Sequence, residues 1–68
     1  MKPVSGKRMA KILESKGWTL QRITGSHHYY ASPDGQLKRS VPVHGHRDLA
    51  TGTQRELMRT ARIDESEL

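Results

Sequence analysis

The chain has no cysteine and no phenylalanine, and its 68 residues include one tryptophan, two tyrosines and three prolines. The missing cysteine removes disulfides, thiolate zinc sites and thiol nucleophiles together. Few aromatics and an apolar fraction of 32% limit the core. A chain of this length buries only about 60% of its unfolded surface, so the core must be thin and regularly packed. No apolar run approaches the roughly 20 residues that cross a bilayer, and the N-terminus lacks an apolar signal region. A soluble, cytoplasmic protein with no membrane association is therefore expected. The length allows one domain, residues 1–68, and excludes a dinucleotide-binding fold with a substrate domain or a large barrel. Any catalysis has to use few residues and no large cofactor.

What the chain does have is positive charge, unevenly placed. The formal net charge is +5. Residues 1–47 carry nine Lys or Arg against two acids, a net +7, whereas residues 48–68 carry three against five, a net −2. A basic front with an acidic tail is the footprint of a nucleic-acid partner more often than of a membrane. Lys7, Arg8, Lys11, Lys38 and Arg39 are the expected phosphate contacts. Lys7 and Lys11, four apart, share a helix face. Lys38 and Arg39, adjacent on a strand, point to opposite faces.

Periodicity predicts a helix from Ser5, a cap residue, to Lys16, with Met9, Ile12 and Leu13 on its apolar stripe and Gly17 past its end. Trp18–Ile23 reads as a first strand, with Trp18, Leu20 and Arg22 on one face. Thr24-Gly25-Ser26 is a turn and His27–Ala31 a second strand. Ser32-Pro33-Asp34-Gly35 is a strong turn. Leu37–Val43 is a third strand, which lies at an edge or ends at Pro42 because proline cannot donate to a ladder. A second helix opens at Thr51 with Gln54 as capping-box partner, or two residues on at Thr53 with Glu56, and Leu57, Met58 and Ala61, with Leu49 ahead of them, form its apolar stripe. The acidic tail from Asp64 is expected to fray. The order α-β-β-β-α predicts an α+β domain, a three-stranded antiparallel sheet with two helices on one face and the other face open. A double-stranded-RNA-binding domain has this layout, an analogy of fold alone.

The densest chemistry lies in Gly25-Ser26-His27-His28-Tyr29-Tyr30. Alternation sends His27 and Tyr29 to one face, His28 and Tyr30 to the other. A core poor in aromatics favours Tyr30 inward, which leaves His27 on the open face. Gly25 permits a tight turn and close approach of backbone to phosphate. Ser26 can hydrogen-bond a phosphate or the turn itself. Four histidines, His27, His28, His44 and His46, raise the question of a metal. Their i,i+1 and i,i+2 spacings, without a partnering carboxylate motif, match no known ligand pattern, and no metal or other cofactor is expected.

Gly25-Ser26-His27 with Tyr30, then Val41-Pro42-Val43-His44, Asp48-Leu49 and Gly52-Thr53, resembles the HicA toxin family. The opening helix followed by Gly17-Trp18 matches as well, and the likeness runs from about Ser5 to Ile63. The resemblance implies a dsRNA-binding-like fold, an mRNA interferase that cleaves mRNA and halts translation, and a cognate HicB-type antitoxin that covers the site in a hetero-oligomer. The family's catalytic histidine maps onto His27. The family often ends its second helix with Ala-Gly-Ile, where this chain has Ala61-Arg62-Ile63.

Such chemistry suits these residues. RNA supplies its own nucleophile, the ribose 2′-OH, so the protein needs a base, an acid and cations. Histidine titrates near neutral pH and can serve as either. The second proton-transfer group is open among His28, His44 and Tyr29, with His28 also placed among the RNA contacts beside Gly25 and Ser26. The rival reading is a non-catalytic double-stranded-RNA-binding module. Such modules carry a basic cluster at the start of the last helix, and Ala50-Thr51-Gly52-Thr53-Gln54 has none. A third reading is a domain whose open sheet face binds only a protein.

Overall fold

The computed structural model describes residues 1–68. It runs α1 (Gly6–Ser15), β1 (Thr19–Thr24), β2 (His27–Ala31), β3 (Lys38–Pro42) and α2 (Thr51–Ala61), with a final 3-10 turn over Glu65–Glu67. The strands form one antiparallel sheet in the order β1-β2-β3. The expected α+β, α-β-β-β-α architecture is the observed one.

Ser5 caps α1 as expected: its side chain accepts from the Arg8 amide at 3.1 Å. The stripe then buries Met9, Ala10, Ile12 and Leu13. Trp18 is buried just after the helix, and Tyr30 and Val41 bring the sheet into the same cluster as Leu57, Met58 and Ala61 of α2. Both helices therefore cover the Tyr30 face. Tyr30 is 2% exposed, and its hydroxyl donates to Glu14 Oε2 at 2.6 Å, which satisfies its one polar atom. No helix is long and apolar enough to cross a membrane.

The N-terminal segment ties the two helices together. Val4 accepts from the Leu49 amide at 2.9 Å, and Ser5 bridges Asp48. Gly6 lies against the end of β3 so closely that a Cβ there would sit 2.0 Å from the Pro42 carbonyl oxygen. Only glycine permits that approach.

Four expectations need correction. First, β1 does not alternate evenly. Leu20 pairs with Tyr30 but Arg22 pairs with Tyr29, so Gln21 is an extra residue in a bulge. Leu20 and Arg22 therefore lie on opposite faces, and Ile23, opposite His28, joins Leu20 on the helix side. Second, Gln54 forms no capping box. The cap position is Ala50, without a side-chain bond. The Gln54 amide, 1% exposed, accepts from Val4 N at 3.1 Å and donates to the Lys2 carbonyl at 2.7 Å. Two otherwise unpaired backbone groups of the N-terminal segment outbid a local cap. Third, the tail does not fray. Asp64 and Glu67 cap each other reciprocally, Lys16 pairs with Glu67 at 2.7 Å, and the N-terminal ammonium meets Glu65 at 3.3 Å. Cations of the basic half draw the acidic tail back. Fourth, strand limits shift: the first strand begins one residue later, at Thr19, and the third is shorter, Lys38–Pro42.

Candidate active site

The site grows from the β1–β2 hairpin. Thr24 pairs with His27, so Gly25 and Ser26 are the whole connection. Gly25 has φ +58° while Ser26 stays at negative φ, the sign pattern of a II′ turn, whose twist suits a two-residue hairpin. A Cβ at Gly25 would meet nothing within 4 Å, so the backbone angle and not crowding calls for glycine here.

His27 follows immediately, opposite Thr24 on one side and Pro42 on the other. It is exposed on the face free of helices. Its ring lies 6.4 Å from that of Tyr29, tilted by 31°. Tyr29 in turn sits between Arg22 and Ser40, and the Arg22 guanidinium carbon lies 4.5 Å from the centre of its ring. A cation so placed is attracted by the ring face, by about 0.5–1 kcal/mol at an exposed site. The bulge at Gln21 is what turns Arg22 to this face. Gln21, Arg22, Tyr29 and Lys38 help to line a shallow groove of about 400 Å³. A slightly larger depression, about 460 Å³, lies at the other end of the sheet near Ser32 and Pro33, away from the histidine.

The chain after β3 closes on the hairpin. The Val43 amide donates to the Ser26 carbonyl at 2.6 Å, and His44 Nε2 lies 3.3 Å from Ser26 Oγ. Gly25, Ser26, His27 and His44 thus gather at one end of the sheet.

The remaining sequence-derived residues are divided. Lys38, opposite Ala31, shares the helix-free face with His27, whereas Arg39, opposite Tyr30, lies on the helix side. There Arg59 first, and Arg39 more weakly, hold the Glu56 carboxyl below its ordinary range. His28 is half-buried opposite Val41, also on the helix side. Lys7 and Lys11 are exposed on α1, in the helical layer. Arg8 reaches the Glu67 carbonyl at 3.4 Å. No three His, Asp or Glu side chains converge as a metal site. The stacking of Arg22 on Tyr29 depends on the bulge at Gln21 and has no signal in the strand alternation. Of His28, His44 and Tyr29, His44 is the one whose ring lies within reach of the Ser26 hydroxyl.

A family model described as the HicA toxin of bacterial toxin-antitoxin matches residues 6–63. The chain belongs to the HicA toxin family. It is accordingly a toxin of a toxin–antitoxin system, and a partner antitoxin goes with it. Comparison with curated proteins gave no match. The HicA match begins at Gly6, where the helix meets β3, and ends at Ile63, so the whole sheet and both helices lie within it. The folded-back tail from Asp64 lies outside it.

Proposed function

We propose that this HicA-family toxin is an mRNA interferase, a metal-independent endoribonuclease in which His27 is a general acid or base. The observation that carries the reading is the position of His27. It is an exposed imidazole directly after a glycine-serine turn, on a sheet face free of helices, next to Tyr29 with its Arg22 cation and with Lys38 farther along the same face.

In the proposed reaction the ribose 2′-oxygen loses its proton to a base and bonds to the adjacent phosphorus. The bond from phosphorus to the 5′-oxygen breaks, and that oxygen takes a proton from an acid. The products are a 2′,3′-cyclic phosphate and a 5′-hydroxyl, and no external nucleophile is consumed. Arg22 and Lys38 supply positive charge toward the phosphate. The Tyr29 ring offers a stacking surface to an unpaired base, worth about 1–3 kcal/mol where such stacking forms. Gly25 and Ser26 shape the approach of the backbone. Lys7, Lys11 and Arg39, outside this face, extend the basic surface along which a longer RNA is held.

The partner in this reading is a HicB-type antitoxin that covers the helix-free sheet face and so excludes mRNA. The test is His27→Ala in a folded protein, with a short RNA as substrate. Cleavage is expected to fall by about 100-fold or more, and a 2′-deoxy ribose at the cut site is expected to block the wild type. Undiminished cutting by the variant, or cutting at the deoxy position, defeats the proposal.

A further inference from the structure

Ser26 is held by the chain that follows β3. Its carbonyl accepts from Val43 N at 2.6 Å, and its hydroxyl lies 3.3 Å from His44 Nε2. The loop bearing His44 is fixed on both sides. Before it, Pro42 pairs with His27 and its carbonyl is pressed against Gly6. After it, the Arg47 amide donates to the His44 carbonyl at 3.1 Å. The His44 imidazole is therefore stationed beside the residue adjoining His27, and both rings are exposed.

The other titratable neighbours are placed elsewhere. His28 belongs to the helix side of the sheet, paired with Val41. Tyr29 carries the Arg22 guanidinium over its ring. His46 lies within the turn that the Arg47 amide closes on the His44 carbonyl and makes no side-chain hydrogen bond. Only His44 is tied to the Gly25-Ser26-His27 turn.

We infer that His44 is the second proton-transfer group of the cleavage read at His27, with Ser26 as its positioning residue. The inference rests on that ribonuclease reading. One imidazole accepts the 2′-OH proton and the other donates to the departing 5′-oxygen, so the proton lost at one end is replaced at the other. Each ring then returns to its starting protonation state before the next turnover by trading protons with solvent.

The experiment is single-turnover cleavage of a short RNA by the wild type, His27→Ala, His44→Ala, His44→Gln and Ser26→Ala, each checked for folding by circular dichroism. His44→Ala is expected to slow cleavage by about 100-fold or more, in the range of general acid–base catalysis. The wild-type pH–rate profile is expected to be bell-shaped, with His27→Ala and His44→Ala losing opposite limbs. Glutamine can still hydrogen-bond Ser26 but cannot relay a proton, so His44→Gln stays as slow as His44→Ala. Ser26→Ala loses less and keeps both limbs. A substrate with sulfur in place of the 5′-bridging oxygen has a leaving group that needs no acid, and it is expected to rescue one of the two histidine variants and not the other.

His44→Ala cutting within about threefold of wild type while His27→Ala is inactive overturns the role of His44 alone. Recovery in His44→Gln, or rescue of both variants or of neither by the sulfur substrate, overturns it as well. A wild type that does not cut, or a fully active His27→Ala, removes the ribonuclease reading and this inference with it.

Discussion

Replacing Gly6 by alanine tests how α1 is seated. In an unobstructed helix this exchange gains about 1 kcal/mol, because glycine has more backbone freedom to lose. Here the new Cβ would lie 2.0 Å from the Pro42 carbonyl oxygen, 3.0 Å from its carbon and 3.2 Å from Val43 Cα. Ordinary contact begins near 3.4 Å, and all three obstacles are backbone, so no side chain can swing aside. Either α1 or the end of β3 must move by more than an ångström. Overpacking of this kind costs about 1–3 kcal/mol. Displacing α1 also loosens the Val4–Leu49 and Val4–Gln54 hydrogen bonds, each with a net contribution of about 1 kcal/mol. The expected loss is about 2–4 kcal/mol, a large share of the roughly 3–10 kcal/mol that holds a domain of this size. In a thermal melt it should appear as a fall in Tm of roughly 8–30 °C. Gly52→Ala is the internal control. Gly52 lies in the first turn of α2 with nothing within 4 Å of its added Cβ, and the exchange should gain about 0.5–1 kcal/mol. If Gly6→Ala melts at or above the wild-type temperature, the close packing of α1 on β3 is wrong.

Arg62 ends α2 at φ 56° and ψ 49°, a left-handed conformation that costs a non-glycine residue about 1–2 kcal/mol. Arg62→Gly should therefore raise the urea midpoint by an amount equivalent to about 1 kcal/mol, and an unchanged midpoint counts against that strain. Gln54→Ala leaves the Val4 amide without its partner in a buried place, a loss of about 1–3 kcal/mol. Hydrogen exchange at Val4 should accelerate in this variant, and unaltered protection there would refute the clamp. The Tyr30 phenol is pushed well above its ordinary value of 10.0, first by burial and then by the hydrogen bond and charge of Glu14. The unfolded chain ionises first as pH rises, so this stabilisation is complete below about pH 10 and declines above it. Tyr30→Phe should flatten that alkaline decline in denaturation midpoint, and an identical slope in both proteins would remove the cause. Lys16, and then the Asp64 amide, hold the Glu67 carboxyl below 4.5. Its contribution is present above that value and is lost as pH falls through the lowered one. The carboxyl titration followed by NMR should move upward in Lys16→Ala, and no movement would dissociate the tail from α1.

The elements that the sequence revealed are those whose causes are local. Ser5 caps because a hydroxyl three residues before a free amide does so in almost any context. Ser32-Pro33-Asp34-Gly35 turns because Asp34 accepts from the Gln36 amide at 3.0 Å and Gly35 from its place bonds back to Ser32 at 2.9 Å. Tyr30 faces inward because the core has no other large aromatic besides Trp18. What stayed hidden depends on residues far apart in the chain. The bulge at Gln21 exists only in the pairing with β2, and it alone sends Arg22 to the face of His27. Gln54 looks like a cap until the N-terminal segment arrives 50 residues away. The exposure of His27 follows from strand alternation and was legible. The approach of His44 to Ser26, across 18 residues, follows from where β3 ends and was not.

The clamp on the N-terminal segment also orders events during synthesis. The two hairpins join neighbours in sequence and close over short loops, whereas Val4 waits for Leu49 and Gln54, and Met1 for Glu65. Distant closures of this kind are slow relative to local ones. A ribosome delivers the chain from its N-terminus, so α1 and the sheet emerge without the helix that completes their core. The toxin can assume its finished shape only after α2 has cleared the exit tunnel, and until then α1 and the sheet stand without the cover that completes their core.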